Sequence, residues 1–341
     1  MIRRYYYIIM CALVAVAASS CREELCYDHY RRSAITLDYE REWERDYGEG
    51  LLGGWNAEDC GSSYDELRPG LPESVSMVVY PENDSLPSLY FLGRDGGEAD
   101  LGAGQSDILF YNNDTEYVVI EESASLPQVS ATTTTRSRST LEPMHVGERT
   151  VSPPDVLYGA YINEVPEPSV HATTPMAVTM HPLVYTYVIR YVFDEGVEFV
   201  RLARGALAGM AEKVYLHNGA TAPESATVLF DCEVTSWGVL AVVKTFGVPS
   251  FPGDHYGREG SEVDPSLDFM LNLEVLCSDG SIKTFSQDVT TQVRRQPRGG
   301  VLTMRGLYLI DEDHQVDSGF DVTVDDWGEW VDVELPSIEV Q

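Results

Sequence analysis

Residues 267–289 read LDFMLNLEVLCSDGSIKTFSQDV, and this stretch decides the fold. Leu267, Phe269, Leu271, Leu273, Val275 and Cys277 occupy alternate positions, with Asp268, Asn272 and Glu274 between them. A period of two puts one set on one face of a pleated chain, so the pattern predicts a half-buried β-strand. Ser278-Asp279-Gly280-Ser281 follows. Asp-Gly accepts the positive φ angles of a type I′ hairpin turn, and a second strand is expected over 281–289.

The same alternation recurs on both sides. Leu183, Tyr185, Tyr187, Ile189, Tyr191 and Phe193 share one face of an expected strand over 183–193. Val228, Phe230, Cys232 and Val234 do so over 226–235, against Asp231, Glu233 and Thr235. Segment 237–248 is apolar on both faces and is expected to be central, and 301–310 and 319–335 complete this half. Toward the N-terminus, 33–43, 74–80, 88–94, 107–112 and 117–122 are short and separated by Gly, Pro, Asn or Asp. Short strands at such spacing indicate a sandwich or barrel.

Three stretches break the pattern. Residues 130–150 (SATTTTRSRSTLEPMHVGERT) lack apolar periodicity and are expected to form an exposed loop with Arg136 and Arg138 open to proteases. Pro166, Pro168 and Pro175 mark an expected domain junction. Residues 203–216 (ARGALAGMAEKVYL) carry Leu207, Met210, Ala211 and Val214 at helical spacing and are expected to be the one short helix. The expected fold is all-β: two tandem antiparallel β-sandwich domains, 33–165 and 176–341, with that helix in the second.

The N-terminus has a different logic. Arg3 and Arg4 precede an apolar stretch from Tyr5 to Ala18, then Ser19, Ser20 and Cys21. This order predicts a signal peptide over 1–20, cut before Cys21. The apolar core, roughly 14 residues, is shorter than the ~20 needed to span a bilayer. A cysteine at the new N-terminus is the acylation site of bacterial lipoproteins, and several palmitate-type chains give stable anchoring. Residues 21–32 then form a lipidated tether, attached to a membrane through Cys21. Arg22-Glu23-Glu24 resembles the surface-export signal of Bacteroidetes lipoproteins, which implies an outer-membrane, outward-facing location.

Composition excludes other roles. The formal net charge is −32. Such a surface repels phosphate backbones, so no nucleic-acid partner is expected. Beyond Cys11 and Cys21, four cysteines remain: Cys26, Cys60, Cys232 and Cys277. An exported chain can oxidise them, and Cys232–Cys277 and Cys26–Cys60 are the candidate bridges. No H-E-x-x-H, G-x-S-x-G, phosphate loop or C-x-x-C occurs, so no catalytic residue, cofactor or metal is expected. Asp311, Asp313 and Asp317 lack the central glycine of a calcium loop. Asp84-Ser85-Leu86 matches the short acceptor pattern of Bacteroides O-glycosylation, which makes Ser85 a candidate glycan site.

Several signatures coincide in order: Cys21 and its acids, Leu25-Cys26-Tyr27-Asp28-His29, Asn112-Asn113-Asp114-Thr115-Glu116, Ala203–Met210, Asp279-Gly280 and Phe320–Trp327. Together they resemble a family of Bacteroidales surface lipoproteins related to the anchor and accessory subunits of minor-type fimbriae. The resemblance implies transthyretin-like domains and a non-catalytic role in anchoring, terminating or decorating a fimbria, with other fimbrial subunits as partners. It also implies contacts made by a donated strand in an open groove or sheet edge, with Arg41 or Arg45 as candidate processing sites. The competing reading is a surface glycan-binding lipoprotein of a polysaccharide-uptake system. That role requires exposed sugar-stacking rings from among Trp43, Trp55, Trp237, Trp327 and Trp330.

Overall fold

A computed structural model describes residues 31–40, 70–82, 86–123, 125–137, 149–169, 172–256, 262–309 and 331–333. The first half runs β1 (Arg32–Tyr39), β2 (Ser74–Pro81), β3 (Ser88–Gly93), β4 (Gly96–Asp100), β5 (Ser106–Asn112), β6 (Val118–Glu121), β7 (Ser130–Thr133), β8 (Thr135–Ser137), β9 (Thr150–Val151), β10 (Tyr158–Val165) and β11 (Thr174–Pro182). The second runs β12 (Tyr185–Glu195), β13 (Val200–Ala211), β14 (Val214–Tyr215), β15 (Ser225–Val234), β16 (Gly238–Thr245), β17 (Met270–Cys277), β18 (Ile282–Asp288), α1 (Thr290–Arg295), β19 (Gly300–Tyr308) and β20 (Val331–Val333). The all-β expectation holds at the level of class.

Seven strands close a barrel in the order β1-β11-β10-β5-β2-β3-β4, where separate sandwich layers were expected. Alternation fills it: Ile35 and Leu37 of β1 meet Val75, Met77, Ile108, Phe110, Val178 and Met180 inside. The ring closes where β1 pairs antiparallel with β4, Ile35 opposite Gly97. At that seam Gly96 has φ +112°, and a Cβ there would collide with the Ile35 carbonyl. Only glycine adopts this backbone freely. On its other side β1 pairs with β11 in parallel, from Ser33 opposite Thr174 to Tyr39 opposite Met180. The barrel therefore includes Thr174–Pro182, and the expected start of a second domain at 176 falls inside the first sheet.

The second sheet follows β18-β17-β13-β15-β16-β12-β19. The predicted faces of β12, β15 and β17 are observed: Tyr187, Ile189, Tyr191 and Phe193 share one core with Val228, Phe230, Leu271, Leu273, Val275 and Cys277. The sheet is rolled over this core. The Tyr191 hydroxyl donates to the Asn272 carbonyl at 2.9 Å, and the Phe193 and Phe285 rings meet edge-on at 5.8 Å. β12 is thus packed across from β17 and β18. Pairing is not antiparallel throughout, because β12–β19 and β15–β9 are parallel.

Two local expectations are corrected. The expected helix at 203–216 is mainly strand β13; the one described α-helix is α1. The register of β13 against β15 shifts between Leu207 and Met210, and Gly209 there has φ +90°. A bulge adds one residue to one strand, so inward side chains fall three apart and imitate helical spacing. Ser130–Thr133 are not an exposed loop but the buried strand β7, Thr134 after it is buried too, and Arg136 lies on β8 within ion-pair distance of Asp231.

A small third sheet, β14-β7-β6, joins the halves. Its cluster unites Leu109 and Tyr111 of β5 with Val118, Val129, Ala131, Leu183, Val214 and Phe246. Glu121 ends β6 and accepts from Ser130 Oγ at 2.7 Å and Lys213 Nζ at 3.1 Å. Burial pushes the Glu121 carboxyl up, but the Ser130 hydroxyl and the Lys213 ammonium outweigh it and hold the pKa below 4.5. A carboxylate depressed on folding stabilises fully above its unfolded value, and that gain is lost as pH falls through the folded value. Glu121→Gln is accordingly expected to lower urea stability modestly at pH 7 and to converge on wild type as pH falls through the carboxylate range, which flattens the acid limb. An acid limb identical to wild type would show that the pair does not couple the halves.

Candidate docking face

β3 has the sequence SLYFLG, without a charge. Leu92 points into the barrel and Tyr90 packs against its core. Leu89 and Phe91 occupy the alternate positions and stand outside, 48% and 70% exposed. Opposite them on β2 lie Val78 and Ser76. Leu86, just before β3, is 86% exposed. Single exposed apolar residues are ordinary, but three within six positions form a patch of the kind found at contact surfaces.

β3 is also sparsely paired on its β4 side. β3 meets β4 at one pair, Gly93 opposite Gly96, and no further β3–β4 pair forms among the described residues. The two end strands of the second sheet are protected. β18 carries Lys283 and Asp288, and β19 carries the exposed Arg305 and two register shifts against β12. Charges and bulges on an edge discourage pairing with another chain, and an apolar edge without them invites it.

A cleft of about 540 Å³ adjoins the start of β3. Tyr80, Pro81, Leu86, Pro87 and Leu126 supply apolar walls, and Glu82, Asp107 and Glu164 supply carboxylates. Asp107 is held from two sides, accepting from the Tyr161 hydroxyl at 3.0 Å and the Glu164 backbone N–H at 2.8 Å. Glu164 takes the unusual φ of +53° that this contact requires. Burial, then Tyr111 and Glu122, pushes the Tyr80 hydroxyl up to about 12, so it remains a neutral donor. No lysine or arginine is among the lining residues.

The candidate residues named from sequence fare unequally. Cys21, Cys26, Cys60, Arg41, Arg45 and Ser85 lie outside the described residues. Cys232 and Cys277 are not joined by a disulfide, which corrects the expected bridge. Their strands, β15 and β17, flank β13, Cys232 opposite Ala203 and Cys277 opposite Val200. Two strand spacings separate them by about 10 Å, beyond the ~7 Å reach of a disulfide between Cα atoms. Burial, then Asp231, pushes the Cys232 thiol well above its usual range. Of the five tryptophans Trp237 alone is described. It packs against the Val188 and Leu240 cluster beneath the Arg190 guanidinium at 5.2 Å, so it is not a bare sugar platform. No cluster of metal-ligating side chains occurs among the described residues.

Residues 65–231 match the family described as "Domain of unknown function (DUF5119)". The "Putative fimbrium anchoring subunit Fim4B" of Bacteroides ovatus is 24% identical over 239 residues, covering 68% of this chain and 70% of that protein. A crystal structure of a "putative adhesin" from Bacteroides ovatus superposes with a TM-score of 0.58 at 18% identity, covering 85% of this chain and 98% of that one. The fold is therefore shared with a protein of that description.

Proposed function

We propose an accessory subunit of a surface fimbria, held in the outer membrane by lipid on Cys21, from the match of residues 65–231 to DUF5119 and the similarity to a fimbrium anchoring subunit. The observation that carries this reading is the correspondence with the anchoring subunit over 68% of the chain. The role is mechanical and non-catalytic: the lipid fixes the base, and strand-mediated contacts bind neighbouring subunits. Main-chain hydrogen bonds along an edge give affinity, and alternate side chains give specificity. The uncharged β3, sparsely paired on its β4 side, supports this mode.

Mass spectrometry of the protein from its native outer membrane tests the reading. The expected N-terminus is acylated Cys21 with β1 intact, and Cys21→Ser is expected to abolish membrane retention. One chain contributes only reversible binding, so loss of every chain leaves no anchor. An unacylated start after Arg41 or Arg45 would overturn the anchor and indicate a subunit processed for polymerisation.

A further inference from the structure

We propose that the outer face of β3 and the adjoining cleft receive a polypeptide segment that carries apolar residues next to a lysine or arginine. The inference rests on the fimbrial reading only for the partner being another subunit. Leu86, Leu89 and Phe91 form an exposed strip that leads directly to the cleft, since Ser88 pairs with Val79 and the walls begin at Tyr80, Pro81 and Pro87. The strip alone calls for apolar cover, because large exposed side chains left in water forgo burial energy. The cleft sets the sign of the partner. Glu82, Asp107 and Glu164 line it, no cation lines it, and Asp107 is already fixed by two donors that do not neutralise it. A carboxylate cluster free of cations attracts an ammonium or guanidinium and disfavours an acid, so charge guides orientation as well as identity. The neutral Tyr80 hydroxyl adds a donor and acceptor at the same wall. A saccharide is disfavoured because the exposed strip consists of Leu, Leu and Phe, with few polar groups to bond hydroxyls.

The test places p-benzoylphenylalanine at position 91 of the full-length protein in cells that express it, with the photo-adduct sequenced by mass spectrometry. The expected adduct is a protein segment with apolar residues within a few positions of a Lys or Arg. Glu82→Gln with Glu164→Gln is expected to lower its yield at least tenfold without changing the amount of folded protein. Leu89→Ser is expected to lower it comparably. No adduct, an adduct to saccharide, a segment without a cation, or a yield indifferent to the Gln substitutions would each overturn the proposal. Counting surface fimbriae on cells lacking the protein separates the two ideas. Unchanged fimbriae with the expected adduct sink the fimbrial reading alone, and altered fimbriae without it sink the docking inference alone.

Discussion

Tyr191→Ala is expected to lower the free energy of unfolding by about 5 kcal/mol, measured by urea denaturation. The ring is fully buried at the centre of β12, and its hydroxyl reaches across the core to the Asn272 carbonyl. Truncation leaves a cavity and an orphaned acceptor together. Space for that hydroxyl is provided by Gly205, where a Cβ would press on the Phe230 ring and the Tyr191 oxygen. Tyr191→Phe keeps the ring and is expected to cost about 1–2 kcal/mol. Equal losses for the two variants would show that packing of the ring contributes little, contrary to its place in the core.

The second large effect lies at the barrel seam. Gly96→Ala is expected to cost about 3–4 kcal/mol, because it adds strain at φ +112° and a clash with the Ile35 carbonyl. Gly102 has φ +73° with nothing near a Cβ, so Gly102→Ala is expected to cost only about 1 kcal/mol. The two also differ in where they act. Gly96 touches β1, so hydrogen exchange at Ile35 and Leu37 is expected to accelerate more than exchange in β12. Uniform acceleration through both sheets would mean the seam does not open on its own.

Alternation made β12, β15 and β17 legible, because large apolar side chains take the core face and polar or mixed residues the other, and a period of two reports that difference even though β17 is buried on both faces. β13 was misread because a bulge at Gly209 converts that period into three. The 278–281 turn was placed correctly but mistyped. Gly280 alone takes a positive φ, its N–H bonds the Cys277 carbonyl, and Cys277 then pairs with Ser281 around a three-residue loop. Ser130–Thr134 looked like surface because threonine is polar. Yet Thr132 donates to the Glu212 carbonyl and Thr133 to the Ser152 carbonyl, so burial leaves these hydroxyls satisfied. The docking strip was invisible for a related reason. β3 is apolar on both faces, and without contrast the sequence cannot say which face is covered. Its acidic neighbours Asp107 and Glu164 come from β5 and β10, so only the fold brings them to Glu82.

The parallel pairing of β1 with β11 also sets a timetable. Ser33 and Thr174 are about 140 residues apart in the chain, so β1 leaves the ribosome long before its partner exists. At ~5–20 residues per second the wait is on the order of ten seconds, during which Ile35 and Leu37 have no barrel to enter. Contacts of such sequence separation form slowly, because the chain must close a large loop before they are rewarded. The first strand synthesised is therefore among the last able to dock, and for that interval it is the segment most in need of a chaperone.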